Sequence, residues 1–589
     1  MVVLGIDLGT VWTKAALFID TEKGHHLIPL KLDIDAATEY GDVGNVMQSA
    51  LFFKGRQNFV KPDGISSDVT YMVYRFDVGQ KAINNMYSFR NSDFFFERIK
   101  PGIYEDEELT AIDDGFKTYM LAAAVIYYIT EVALVTLHGI DPSLDRIDKY
   151  VFSVPATTRE GDQRWKNLRD ALSVPYSKAL NNQIRINEED ITILREPEAA
   201  GYYLLQSHPS ENGKYFLVYD FGGGTFDCSI LKSKGNLVLL KDSAEHSSVG
   251  KNQLGGNDID QLIREELYRQ NPGLPQELVS LNESLSAADK AKLETLRNEI
   301  YHLPKRVKLA LARKDSYHEN TLFGFQITRE KFESLIKRHL STSIACCDDL
   351  LSSNGLAWKD LSGIIMVGGT SRIPLVKRMV EDHVQHECPD CYDSIKIILE
   401  DGGNGISAVA YGCATYHHLK PSADSLLDQG IKEMEQSNFS DAEFFFAKAE
   451  EAGHKNAPFY LGMLHYLGLS PDDDGVNYRL ALRYFEKENT PYALFQRAVC
   501  YIKGQGVQRN EAQAKHLINQ VPGDDYHITC FKNVLSGCAS NLDYEFFYTP
   551  GFSLIMEAPE HALSDSIASV MGSLRYTIIT GLLKSLLYG

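Results

Sequence analysis

Asp220, Gly222, Gly223, Gly224 and Thr225 fall within one run, KYFLVYDFGGGTFDCSIL at 214–231, with Asp227 just beyond them. Consecutive glycines weaken a strand and cost backbone entropy. Such a turn is therefore expected where φ is positive or where another molecule approaches the main chain. A row of backbone N–H groups makes a cradle for an anion. An aspartate at the mouth of that cradle repels a phosphate unless a divalent cation lies between them, which points to a magnesium–nucleotide site. Taken alone, the run also fits an ordinary glycine-rich hairpin. A second run, VLGIDLGTVWTKAALF at 3–18, has the same order of parts in Asp7, Gly9 and Thr10. A third, GIIMVGGTSRIP at 363–374, places Gly368 and Gly369 between an apolar stretch and a helix start.

The elements that must position these residues are legible in the flanks. Tyr215 to Tyr219 and Phe226 to Leu231 are aromatic and β-branched, so they read as two strands joined by the glycine turn. Two strand–Asp–Gly–Thr–strand hairpins in one chain suggest a duplicated domain whose halves face each other across one ligand. Gly368-Gly369 at the end of a buried strand is a further close-approach site.

A chain of 589 residues is too long for one core and suggests two to four structural units. A formal net charge of −20 argues against a nucleic-acid or anionic-membrane surface, which needs clustered Lys and Arg. The first strand begins at residue 2, which leaves no room for a secretory leader. Residues 120–140 form the most apolar run, interrupted by Glu131, and read as a buried helix. Nine cysteines, mostly in apolar surroundings, suit a reducing compartment, so a cytoplasmic protein is expected. HVQHECPDC brings His383, His386, Cys388 and Cys391 within nine residues, as either zinc ligands or an ordinary loop after a helix.

With these motifs in order, the chain resembles the nucleotide-binding domain of the 70-kDa heat-shock chaperones, within the actin and sugar-kinase ATPase superfamily, over residues 1–420. GIDLGT is similar to the first phosphate loop and VYDFGGGTFD to the second. REPEAAGYYL (195–204) and SAVAYGCA (407–414) are similar to the two connecting segments, and VGGTSRIP to the adenosine segment. The resemblance implies an α/β actin-like ATPase domain of two lobes with a duplicated ribonuclease-H-like core, using ATP or ADP with Mg²⁺. It implies that Asp7 and Asp220 hold the hydrated Mg²⁺, and that Gly9, Thr10 and Gly222 to Thr225 contact phosphates. Glu196 falls on the catalytic glutamate, Pro197 on the switch proline and Thr225 on the threonine near the γ-phosphate. Gly368, Gly369, Ser371 and Arg372 match the adenosine motif. The catalytic lysine falls on Glu97 in an ungapped register and on Lys100 in a shifted one; Lys100 is preferred, because the γ-phosphate needs a cation. On the base-binding helix the family's glutamate, lysine, arginine and serine read Lys305, Lys308, Leu309 and Ala312, so only Lys308 is kept. Ile406 stands where the family has an acid. Thr192 and Arg195 replace the arginine and asparagine that dock J-domain co-chaperones, so conventional J-domain stimulation is not expected.

After residue 420 the family's β-sandwich is not expected, because the pattern turns helical. SLLDQGIKEMEQSNFSDAEFFFAKAEEAG has apolar residues at helical spacing, with Ser440 as a cap before Asp441 and Gly453 at the stop. APFYLGMLHYLG and ALFQRAVCYIKG align at an offset of 36 residues, Ala457 over Ala493 and Gly468 over Gly504. This resembles Sel-like, tetratricopeptide-related hairpin repeats over 421–525, whose concave face binds a protein or peptide partner. A plain helical domain is the alternative. Residues 526–589 read as a helical cap or extension.

Overall fold

The computed structural model describes residues 1–9, 12–21, 24–32, 47–61, 69–83, 94–97, 99–100, 107–158, 161–173, 176–177, 183–184, 186–207, 214–234, 237–247, 254–284, 286–320, 324–399, 407–471 and 475–520. Thr10, Ile406 and the expected extension at 526–589 lie outside the described residues. The chain divides into two compact units, Met1–Lys420 and Pro421–Gly589.

The first unit is built on two sheets with the same strand order. Val2–Leu8 and Trp12–Thr21 form an antiparallel hairpin, with Asp7 opposite Lys14. Gly24–Pro29 extends it antiparallel on one side, while Lys149–Val154 and then Ile191–Arg195 extend it parallel on the other. In the second sheet Tyr215–Phe221 and Thr225–Lys234 form the hairpin, with Asp220 opposite Asp227. Leu237–Ser247 extends that hairpin antiparallel, and Leu361–Val367 and then Lys396–Leu399 extend it parallel.

Strand alternation divides the apolar residues between layers. Val2, Leu4, Ile6 and Leu8 enter an outer core shared with Leu121, Val125, Ile129 and Ala133 of helix Met120–Ile140. Leu217, Tyr219 and Phe221 enter the other outer core, beneath helices Gly256–Gln270, Ala287–Arg313, Arg329–Ser353 and Pro374–Glu387. The alternate residues Val3, Phe216 and Val218 share a third, inner core with Ala199 and Tyr202 of helix Glu196–Ser207 and with Val409 and Cys413 of helix Ala408–Leu419. These two helices cross so closely that a Cβ on Gly412 would lie 1.7 Å from the Ala199 carbonyl oxygen. A smaller sheet has the order Val69–Val78, Ala50–Lys61 and Phe95–Glu97, and its Leu51 and Phe53 enter the outer core of the first large one. Among the described residues, Met120–Ile140 is long and apolar enough to cross a bilayer, yet one stripe of it is buried in the protein core.

In the second unit the described residues form consecutive helices: Ala423–Glu435, Phe439–Glu451, Ala457–Leu467, Tyr478–Glu486, Pro491–Lys503 and Glu511–Gln520. The long apolar stretch read from sequence is broken at Ser437, whose φ is +62°. Its second helix starts after Asn438, so Ser440 lies inside the first turn and does not cap it. One interlock recurs between neighbouring helices. A Cβ on Gly430 would meet the Phe446 ring and the Ala442 carbonyl, and a Cβ on Gly462 would meet the Phe485 ring and the Ala481 carbonyl. Gly468 and Gly504 both end helices in the left-handed conformation, at φ +68° and +69°.

Candidate functional site

Asp7 and Asp220 sit near the C-terminal ends of the two central strands and occupy the same position in each hairpin. The two-residue period that sends Val3, Phe216 and Val218 inward puts both carboxylates on the inner faces as well. In sheets of this kind ligands bind outside the carboxyl ends of the strands. Asp7 accepts hydrogen bonds from Ser407 Oγ to Oδ2 at 2.8 Å and from Ser153 Oγ to Oδ1 at 3.4 Å. Neither serine was among the residues singled out from sequence. Ser407 is the first residue of the SAVAYGCA segment, and only its three-dimensional partner gives it meaning.

Lys100 and Glu196 form an ion pair, their side chains 11% and 12% exposed. Glu97, the alternative for the lysine position, lies elsewhere and accepts a hydrogen bond from Tyr301 Oη at 2.9 Å. Burial, with the charges of Asp7 and then Glu196 adding to it, pushes the Cys413 thiol well above its ordinary value. Glu196 opens the helix whose Ala199 carbonyl a Cβ on Gly412 would meet, and Ser407, bonded to Asp7, caps the helix that carries Gly412, so the Lys100–Glu196 pair and Asp7 attach to the same two crossing helices.

The second hairpin's turn is held from behind. Gly222 N–H donates to the Thr225 carbonyl at 3.0 Å, closing the turn. The Gly222 carbonyl accepts from Gly256 N–H at 3.0 Å and from Thr370 Oγ1 at 3.0 Å, and the Gly223 carbonyl accepts from Asn257 N–H at 2.8 Å. The start of helix Gly256–Gln270 and the turn after Leu361–Val367 thus engage the loop carbonyls. Thr225 Oγ1 donates to Asp227 at 2.7 Å. Gly368 has φ +86°, and a Cβ there would lie 2.5 Å from the Phe221 carbonyl oxygen and 2.6 Å from Asp220 Oδ1, so this position requires glycine. A Cβ on Gly369 meets nothing within 4 Å. Ser371 is fully buried and donates its hydroxyl to the Val367 carbonyl at 2.6 Å, with Arg372 next to it in the same short turn. Gly9 follows the first strand, its carbonyl accepting from Ser49 Oγ at 2.7 Å.

Lys308, on helix Ala287–Arg313, pairs with Asp260 at 2.6 Å. One turn earlier, Lys305 Nζ lies 4.6 Å above the Trp12 ring, a cation–π contact to the first hairpin. Arg195 is held by Glu198 through two hydrogen bonds of 2.8 and 2.6 Å, and that carboxylate raises its pKa. The Thr192 hydroxyl lies 3.1 Å from His417, which burial, with Lys420 and Lys149 adding, holds down at about 4. The cysteine–histidine run does not gather as a metal-ligand group among the described residues. His383 turns to Asp348 at 2.9 Å, and Cys388 donates to the Val384 carbonyl at 3.2 Å, its thiol pushed up to about 11 by burial first and by the neighbouring Cys391 second.

Known proteins match part of this chain. The chain is 28% identical over 270 residues to a heat shock protein of Pyricularia oryzae, covering 46% of this chain and 39% of that one. It is 34% identical over 201 residues to the Chaperone protein HscA homolog of Histophilus somni, covering 33% and 28%. It is 27% identical over 275 residues to a ribosome-associated molecular chaperone of Eremothecium gossypii, covering 46% and 39%. The matches thus span less than two fifths of each of these curated relatives. The family described as Hsp70 protein matches residues 144–422, a span that takes in Glu196, Asp220, Lys308 and Gly368 and begins after Asp7 and Lys100. This chain therefore carries an Hsp70-family domain over residues 144–422.

Proposed function

We propose that this protein is a divergent, cytoplasmic chaperone-like ATPase that binds Mg·ATP between its two sheets and couples nucleotide state to a helical-repeat domain holding a protein partner. The observation that carries this reading is the equivalent inner-face placement of Asp7 and Asp220 in two identically ordered sheets, with the Lys100–Glu196 pair at the start of the helix that crosses the one capped by Ser407. Two carboxylates are a suitable donor set for Mg²⁺, which keeps several waters and is held by few protein acids together with phosphate oxygens. When bound, the ion would neutralise phosphate charge.

The chain's own groups do the rest. Backbone N–H groups of Gly223, Gly224 and Thr225, in the turn that the Gly222 N–H closes, and of Gly9 hold phosphates, Glu196 orients the attacking water, and Lys100 moves from Glu196 to the γ-phosphoryl oxygens as charge develops there. Lys308, Gly368, Gly369, Ser371 and Arg372 border the nucleoside, with Leu309 offering an apolar face to the base. The recurring Gly–Phe interlock and the paired glycine caps support Sel-like hairpins in the second unit, and their concave face is the partner surface. Arg195, engaged by Glu198, argues against conventional J-domain docking.

A nucleotide-sensing scaffold that scarcely hydrolyses is the second reading, favoured by Lys100 and Glu196 neutralising each other. Single-turnover hydrolysis of ATP by the intact chain separates the two. Release of phosphate above background, lost in Lys100→Ala, supports the ATPase. No hydrolysis, with ATP and ADP still raising the melting temperature at millimolar concentration, supports the scaffold. Neither hydrolysis nor a thermal shift would sink both.

A further inference from the structure

Ser407 makes two hydrogen bonds with one hydroxyl. It donates to Asp7 Oδ2 at 2.8 Å and accepts from Ala410 N–H at 3.2 Å, which caps helix Ala408–Leu419. The side chain is 3% exposed, so its hydrogen bonds are shielded from competing water. Ser153, also buried, reaches the other oxygen of the same carboxylate. The helix that Ser407 caps is itself tightly seated. A Cβ on Gly5 would lie 2.3 Å from Ala414 N, and Gly412 meets Ala199 of the helix that begins with Glu196.

We propose that Ser407 is a positioning residue that fixes the orientation of the Asp7 carboxylate toward its cation and ties that acid to the start of helix Ala408–Leu419. This deepens, and rests on, the nucleotide-binding reading above. A carboxylate that accepts from a hydroxyl at each oxygen is restricted in its rotation, so a hydrated cation would meet an oriented acid. Groups that orient metal-binding side chains in this way typically contribute ten- to hundredfold in metal affinity. Ser407 has no chemical step of its own.

The test is calorimetric titration of ATP into the intact chain at a series of Mg²⁺ concentrations. Ser407→Ala is compared with Ser407→Thr, which keeps both hydrogen bonds, and with Thr328→Ala. Thr328 caps helix Arg329–Ser353 by accepting from Lys331 N–H at 3.2 Å, so its loss measures cap removal alone. Melting temperatures confirm that each variant is folded. The expected result is that Ser407→Ala raises the Mg²⁺ concentration for half-maximal ATP binding about tenfold. Ser407→Thr should return to within about twofold of the parent, and Thr328→Ala should match it. A Ser407→Ala shift no larger than that of Thr328→Ala overturns the inference and leaves the functional reading intact. A parent chain with no Mg²⁺-dependent ATP binding overturns both.

Discussion

Lys100 and Glu196 are each other's counter-ion in a place that water scarcely reaches. Removing one charge from such a pair takes away the other's buried counter-ion, so Lys100→Met should cost about 3 kcal/mol in denaturant unfolding. The double variant Lys100→Met/Glu196→Met should recover much of that loss. Both singles should lower single-turnover hydrolysis by about 100-fold if the groups act as proposed. A second residue-scale prediction concerns Glu488, whose carboxyl is pushed up to about 7 by burial, against the bond it accepts from Phe459 N–H at 3.0 Å. A raised folded-state pKa means that its contribution to stability is full below the ordinary glutamate value and is lost as pH rises through about 7. The melting temperature of the parent should therefore fall relative to Glu488→Gln between about pH 5 and pH 8. A constant difference would show that Glu488 titrates normally.

At the scale of elements, glycine positions make the sharpest claims. Gly368→Ala places a Cβ against the Phe221 carbonyl and Asp220 at a positive φ, whereas Gly369→Ala meets open space. The first should destabilise by about 2 kcal/mol and the second by under about 0.5 kcal/mol in matched urea titrations. Gly412→Ala forces apart the two inner helices and should cost about 3 kcal/mol. Much at this scale was legible in the sequence, because a strand's apolar alternation and a glycine turn are local properties. Both hairpins and the strand before Gly368 lie where the residues indicated. The helix start near Ser440 was not: Asn438 occupies the cap position with its side chain turned back to Glu433, an arrangement set by the reversal at Ser437. The break at Ser437 is set by a backbone conformation that few non-glycine residues adopt.

For the whole molecule, two compact units imply that nucleotide should act on one of them first. Calorimetry of the intact chain should show two transitions, and saturating Mg·ATP should raise the one belonging to Met1–Lys420 by several degrees. A single transition would mean that the units unfold together.

The chain's own residues determined the glycine turn proposed as a phosphate cradle: glycines, flanking strands and an acid at the strand end are specified within a dozen positions and need no distant partner. Only the tertiary structure decided that Lys100, and not Glu97, meets Glu196. It alone put Ser407 on Asp7 across 400 residues of chain. Local periodicity sets which face a side chain occupies. Which two faces meet depends on how sheets and helices stack around shared apolar cores, and that is a property of the folded chain as a whole.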